Sequence, residues 1–177
     1  MSASTTAAEE RRYAELQQRA LDGARNGETA ELAAMLEAGL PVNLCDGKGN
    51  SLLMLASYHG EVATTRMLLE RGAETERRND RGQTPLGGAA FKGAEEIVAL
   101  LLAGGADIDA DNGGGMTPIM FAALFGRTRV VEQLKTAGAS LARRNRLGFS
   151  AGALTRLAGP MRFIFGRRAA ASGPRAS

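Results

Sequence analysis

The sequence predicts an all-α solenoid, a stack of paired antiparallel helices joined by hairpin loops, with three full repeats between degenerate terminal caps. Two observations carry this. Glycines recur 33 residues apart in three registers: Gly27, Gly60, Gly93, Gly126 and Gly159; Gly39, Gly72, Gly105 and Gly138; and Gly49, Gly82, Gly115 and Gly148. Apolar positions keep the same period, with Leu36, Leu69 and Leu102 in one column, Leu53, Leu86 and Ile119 in a second, and Ala56, Ala89 and Ala122 in a third. A period of this length marks a repeat array, in which one unit cannot bury its apolar face alone and stacking supplies the core.

In order along the chain, residues 1–8 are rich in Ser, Thr and Ala, and an unstructured tail is expected there. From Glu9 a charged helical pattern places Tyr13, Leu16, Ala20 and Leu21 on one face, and Asn26-Gly27 stops it. A second helix over Glu31 to Ala38 ends at Gly39, completing an N-terminal cap over 9–45. Three units follow, 46–78, 79–111 and 112–144. Each reads as turn, short helix, glycine turn, second helix, glycine stop and extended link. The first helix carries small pairs such as Ala89-Ala90 and Ala122-Ala123, which allow close approach; the second carries Leu68-Leu69 or Leu101-Leu102. Asp46, Asn79, Asn112 and Asn145 each stand three residues before a loop glycine, where a short polar side chain bonds the local backbone. A C-terminal cap is expected over 145–165, with Pro160 to Phe165 replacing a second helix, then a basic disordered tail over 166–177.

These residues resemble the ankyrin-repeat family, of the short bacterial type. The family phrase is matched at Gly82-Gln83-Thr84-Pro85-Leu86, Ala89-Ala90, Gly93, Leu101-Leu102 and Gly105-Ala106. It is matched again at Gly115-Met116-Thr117-Pro118-Ile119, Ala122-Ala123, Gly126 and Gly138-Ala139. The likeness covers roughly residues 14–159, and is looser where Ser51-Leu52-Leu53 replaces Thr-Pro-Leu. The family's His after Leu is Met54, Gly87 or Met120 here, so the bond it makes to the Thr hydroxyl between loops is expected to be missing. Gly87-Gly88 inside a short helix implies either a soft helix, at about 1 kcal/mol per Gly, or a neighbour so close that only Gly fits. Ser51 to Gly60 is also similar to bacterial ankyrin proteins associated with catalase and oxidative-stress defence.

Candidate chemistry is sparse. His59 is the single histidine and Cys45 the single cysteine, which excludes a His dyad, a multi-Cys metal site and an internal disulfide. Asp107, Asp109 and Asp111 begin like a calcium loop, but Asn112 stands where that loop needs Gly and Pro118 where it needs Glu. Gly47 to Ser51 and Gly113 to Gly115 lack phosphate-loop spacing. The expectation is a non-enzyme with no cofactor and no metal. Residues 1–8 have neither a basic nor an apolar stretch, so no signal peptide or membrane span is expected, and the cytoplasm is the expected location.

The resemblance implies a concave surface built from hairpin tips and first-helix ends. Tyr58-His59, Phe91-Lys92 and Leu124-Phe125 map to those ends, and Arg78 and Arg81 to the tips. Large apolar side chains beside a water-facing turn point to an interface; the alternative is that the rings tuck against the next repeat. A mostly basic rim favours an acidic protein partner, bound by a monomer. Residues 133–177 carry 9 Lys and Arg and no acid, whereas 1–132 carry 13 against 19 acids, a net −6. A second reading therefore has the basic tail, with Phe163-Ile164-Phe165, binding nucleic acid or an anionic membrane. The competing account makes Phe163 and Phe165 a cap on the last repeat.

Overall fold

The computed structural model describes residues 2–156, with side chains from residue 6 onward. The chain begins with α1 (Ser2–Asn26) and α2 (Thr29–Glu37). Three helix pairs follow: α3 (Leu52–His59) with α4 (Val62–Glu70), α5 (Pro85–Lys92) with α6 (Glu95–Ala103), and α7 (Pro118–Leu124) with α8 (Thr128–Thr136). Residues 151–156 are helical and open the next unit. Residues 160–165 of the expected C-terminal cap and the basic tail lie outside the described residues.

One boundary differs from expectation. Helix α1 begins at Ser2, not Glu9, so the segment expected to be unstructured is helical. No Gly or Pro interrupts the chain between Ser2 and Asp22, and Ala7-Ala8-Glu9-Glu10 are strong helix formers, so nothing stops the helix from propagating backward.

The inner layer is α1, α3, α5 and α7, and the outer layer α2, α4, α6 and α8, each helix packed on the next in its own layer and on its pair mate. Small residues permit this. Ala56, Ala89 and Ala122 are wholly buried in the inner layer, beside Leu53, Leu86 and Ile119. In the outer layer Leu68, Leu101 and Leu134 are wholly buried, whereas Leu36, Leu69 and Leu102 are half-buried neighbours of the core. Within each Leu pair, the first member carries the core.

Helix starts are fixed by caps. Ser51 Oγ accepts from the Met54 N–H and Thr84 Oγ1 from the Gly87 N–H, each at 3.2 Å. Pro85 and Pro118 occupy the first helical position, where a missing N–H costs nothing.

The hairpins are built by side-chain turns, with one slip in register. Asp46, Asn79 and Asn145 each accept the N–H groups two and four residues on. In the third hairpin that work falls to Asp111, which accepts from Gly113 and Gly115 at 2.9 Å each, and not to Asn112 as the spacing suggested. The chain then needs Gly113, Gly114 and Gly115 in succession, at φ of 96°, 66° and 75°.

Asn112, thus released, turns inward and is buried. Its Oδ1 accepts from the Thr84 N–H at 2.7 Å and the Thr84 hydroxyl at 3.0 Å, and its Nδ2 donates to Ala110 O at 2.9 Å. A Thr-hydroxyl bond between loops, expected to be missing, therefore exists here with Asn in place of His. It also accounts for Gly87: a Cβ there would overlap the Asn112 carboxamide. Close approach, the second of the two alternatives, explains that glycine. At Gly88 a Cβ would meet only Tyr58 Cδ2, at an ordinary 3.5 Å.

Candidate functional site

The first-helix ends and hairpins enclose a groove of about 720 Å³ on the inner side of the stack. Its wall is aromatic. The Tyr58 and Phe91 rings are stacked, with centroids 6.3 Å apart and planes at 10°, and Phe91 meets Phe125 edge-on at 4.4 Å. Lys92 Nζ lies 5.0 Å from the Tyr58 ring centre, within cation–π range. His59 packs edge-on to Tyr58 at 5.6 Å. The rings cover one another, yet Tyr58 remains 39% and Phe125 43% exposed.

The floor is a carboxamide chain. Asn79 Nδ2 donates to Asn50 Oδ1 at 2.9 Å and to Gln83 Oε1 at 3.2 Å, and Asn50 Nδ2 donates to Asp46 at 3.0 Å. Arg25 from α1 closes this chain through Asp46 at 3.1 Å, which ties the N-terminal cap to the first hairpin. Burial raises the Asp46 pKa, but the hydrogen bonds from Asn50 and Lys48, with the Arg25 charge, outweigh it and leave that carboxyl below the usual range. On the rim, the side chains of Lys48, Arg78, Arg81 and Arg146 form no ion pair among the described residues.

Of the residues expected to meet a partner, Tyr58, His59, Phe91 and Arg81 line the groove. Lys92 reaches it through Tyr58, and Phe125 borders it through Phe91. Arg78 is exposed outside it. Leu124 is displaced: it is half-buried against the core. The reason is that α7 stops at Leu124 with Phe125 as its cap, one residue earlier than α3 and α5, which run to His59 and Lys92. The ring of Phe125 therefore takes the place on Phe91 that register would give residue 124. Asn50, Asn79 and Gln83 were missed as floor residues; the signal was a polar residue directly after the loop glycine in two successive copies, Asn50 and Gln83.

Cys45 is half-buried, and Arg77 Nε donates to its Sγ at 3.0 Å, which raises the Arg77 pKa. Among the described residues no group of three or more His, Cys, Asp or Glu is gathered that could hold a metal ion. Nor is any described helix long and apolar enough to cross a membrane.

A two-layer stack with hairpins on one edge and a groove beside them defines a helical repeat protein. The sequence matches the family model for ankyrin repeats (3 copies) over residues 21–112 and 53–145, more than half of the chain, and the chain belongs to that family. Ankyrin repeats are generally protein–protein interaction modules. A 38-residue stretch is 58% identical to PA3287 of Pseudomonas aeruginosa, a chain whose name describes an ankyrin repeat protein. That match covers 22% of each chain, so this chain spans less than a quarter of that relative's length in the match.

Proposed function

We propose that this chain is a non-enzymatic module that holds a partner protein against its concave face, with Tyr58, His59, Phe91, Lys92, Phe125, Arg78 and Arg81 as contacts. One observation carries the reading: a packed but still exposed aromatic ladder borders a groove large enough to seat side chains of a partner. Rings already ordered by one another lose little conformational freedom on binding, so their buried area converts well into affinity. Lys92 above Tyr58 and the uncommitted cations of the rim favour a partner with acidic character.

The test is affinity capture from the source cells with quantitative mass spectrometry, comparing the wild type with Phe91→Ala/Lys92→Glu. Phe91 lines the groove, Lys92 reaches it through Tyr58 and neither belongs to the core, so the double variant is expected to keep its fold, checked by circular dichroism. Loss of specific partners by a tenfold or greater margin is expected; equal recovery by a folded double variant refutes this face.

A further inference from the structure

The concave face is not uniform along the stack. In the hairpins, position 48 is Lys, its 33-residue equivalent is Arg81, then Gly114, then Leu147, which is 79% exposed. The residue after the loop glycine runs Asn50, Gln83, Met116, Phe149, the last 38% exposed. Equivalence in space follows from the hydrogen bonds as well as the count. Asn79 donates to Asn50 Oδ1 at 2.9 Å, and its counterpart Asn145 donates to Met116 Sδ at 3.3 Å. Asp80 N–H donates to Lys48 O, and its counterpart Arg146 N–H to Gly114 O. In these two columns polar and cationic groups occupy the first two repeats and exposed apolar ones the last, while Arg143, Arg144 and Arg146 keep exposed cations at that end as well.

We infer that the occupant of this face is an extended segment of a partner protein with carboxylates at one end, over Lys48 and Arg81, and bulky apolar side chains at the other, over Phe125, Leu147 and Phe149. The inference rests on the proposed concave-face binding and deepens it. Charge complementarity supports the acidic end. Neither Lys48 nor Arg81 is ion-paired among the described residues, Asp46 is held by Arg25, and Asp111 is held by its own loop, which leaves Asp80 as the acid facing that pair. Exposed Leu147, Phe149 and Phe125 supply the apolar end. Length also fits. Helices pack about 8–10 Å apart, so three repeat steps from Lys48 to Leu147 span roughly 24–30 Å, or about eight residues of extended chain.

The experiment is selection of displayed random 12-residue peptides against the full chain, repeated on Lys48→Glu/Arg81→Glu, Phe125→Ser/Leu147→Ser and Phe91→Ala. Wild type is expected to enrich peptides with Asp and Glu in one half and Phe, Leu, Ile or Met in the other, always in the same order. The first double variant is expected to lose the acidic half of the motif and keep the apolar half; the second, the reverse. A synthetic peptide of the enriched sequence is expected to bind the first double variant on the order of tenfold more weakly, with a reduced salt dependence. Enriched peptides without this polarity, or a motif unchanged by Lys48→Glu/Arg81→Glu, overturn the inference alone if Phe91→Ala still weakens binding. Peptides indifferent to Phe91→Ala overturn the concave-face reading itself. No enrichment excludes a linear segment as the occupant and leaves a folded partner for that face.

Discussion

A methyl group at position 87 would overlap the Asn112 carboxamide, while one at position 88 would touch Tyr58 at van der Waals distance. The two adjacent glycines are therefore present for different reasons. Gly87→Ala gains about 1 kcal/mol of helix propensity but displaces an acceptor that serves two buried donors of Thr84. A net loss of about 1–2 kcal/mol is expected. Gly88→Ala keeps only the propensity gain and is expected to stabilise by about 0.5–1 kcal/mol. Urea unfolding of the two single variants measures the contrast, and equal effects would refute the close-contact explanation. Position 65 offers a second case. Thr65 Oγ1 is buried without a hydrogen-bond partner among the described residues, and Val98, its equivalent in the next repeat, is wholly buried. Thr65→Val is expected to raise stability by about 1 kcal/mol or more in the same assay, since it removes an unsatisfied hydroxyl without changing shape.

Among the elements, α1 is secured at one end. Ala20, Leu21 and Ala24 are buried, while Tyr13 and Leu16 remain exposed. The Arg25–Asp46 pair joins this buried end to the first hairpin, where Asp46 also accepts the Lys48 and Asn50 N–H groups. The folded-state pKa of Asp46 is lowered, so its contribution is complete above the unfolded value near 3.9 and is lost as pH falls through the lower folded value. Asp46→Ala is expected to cost about 1–3 kcal/mol at pH 7. In denaturant titrations at a series of pH values, the difference from wild type should shrink only at the acid end. A difference that persists unchanged well below that range would contradict the pairing.

Element boundaries also show what the sequence conveys. The glycine columns located the second-helix ends at Gly39, Gly72, Gly105 and Gly138, because a left-handed φ is needed there and few residues other than Gly adopt it readily. The end of α7 escaped this logic. Gly126 keeps the register, yet the helix stops at Leu124, a one-residue difference that the glycine column does not carry and that puts Leu124 on the core and Phe125 on Phe91. The Asp111–Asn112 exchange was hidden for a similar reason: adjacent side chains can both make the turn, and only the environment of Thr84 selects which one turns inward. The start of α1 was misplaced because Ser and Thr are weak helix formers, and continuity with a strong helix outweighed their preference.

At the scale of the whole molecule, repetition builds the stack and departures from repetition mark its face. Columns that hold one residue type, such as Ala56, Ala89 and Ala122, are buried. Columns that change type from unit to unit, such as Lys48, Arg81 and Leu147, stand on the hairpin edge. The aromatic ladder runs across that face, and the outer layer is lined instead by surface ion pairs such as Glu37–Arg71 and Arg129–Glu95, whose contribution is small. The proposed binding therefore lies on the inner side. The most direct measurement is photo-crosslinking in the source cells with a benzophenone amino acid placed at Phe91 in the groove or, as the control, at exposed Ala99 on α6. The account predicts a discrete adduct with a partner protein from position 91 and none from position 99. An adduct from position 99 with none from position 91 would contradict it.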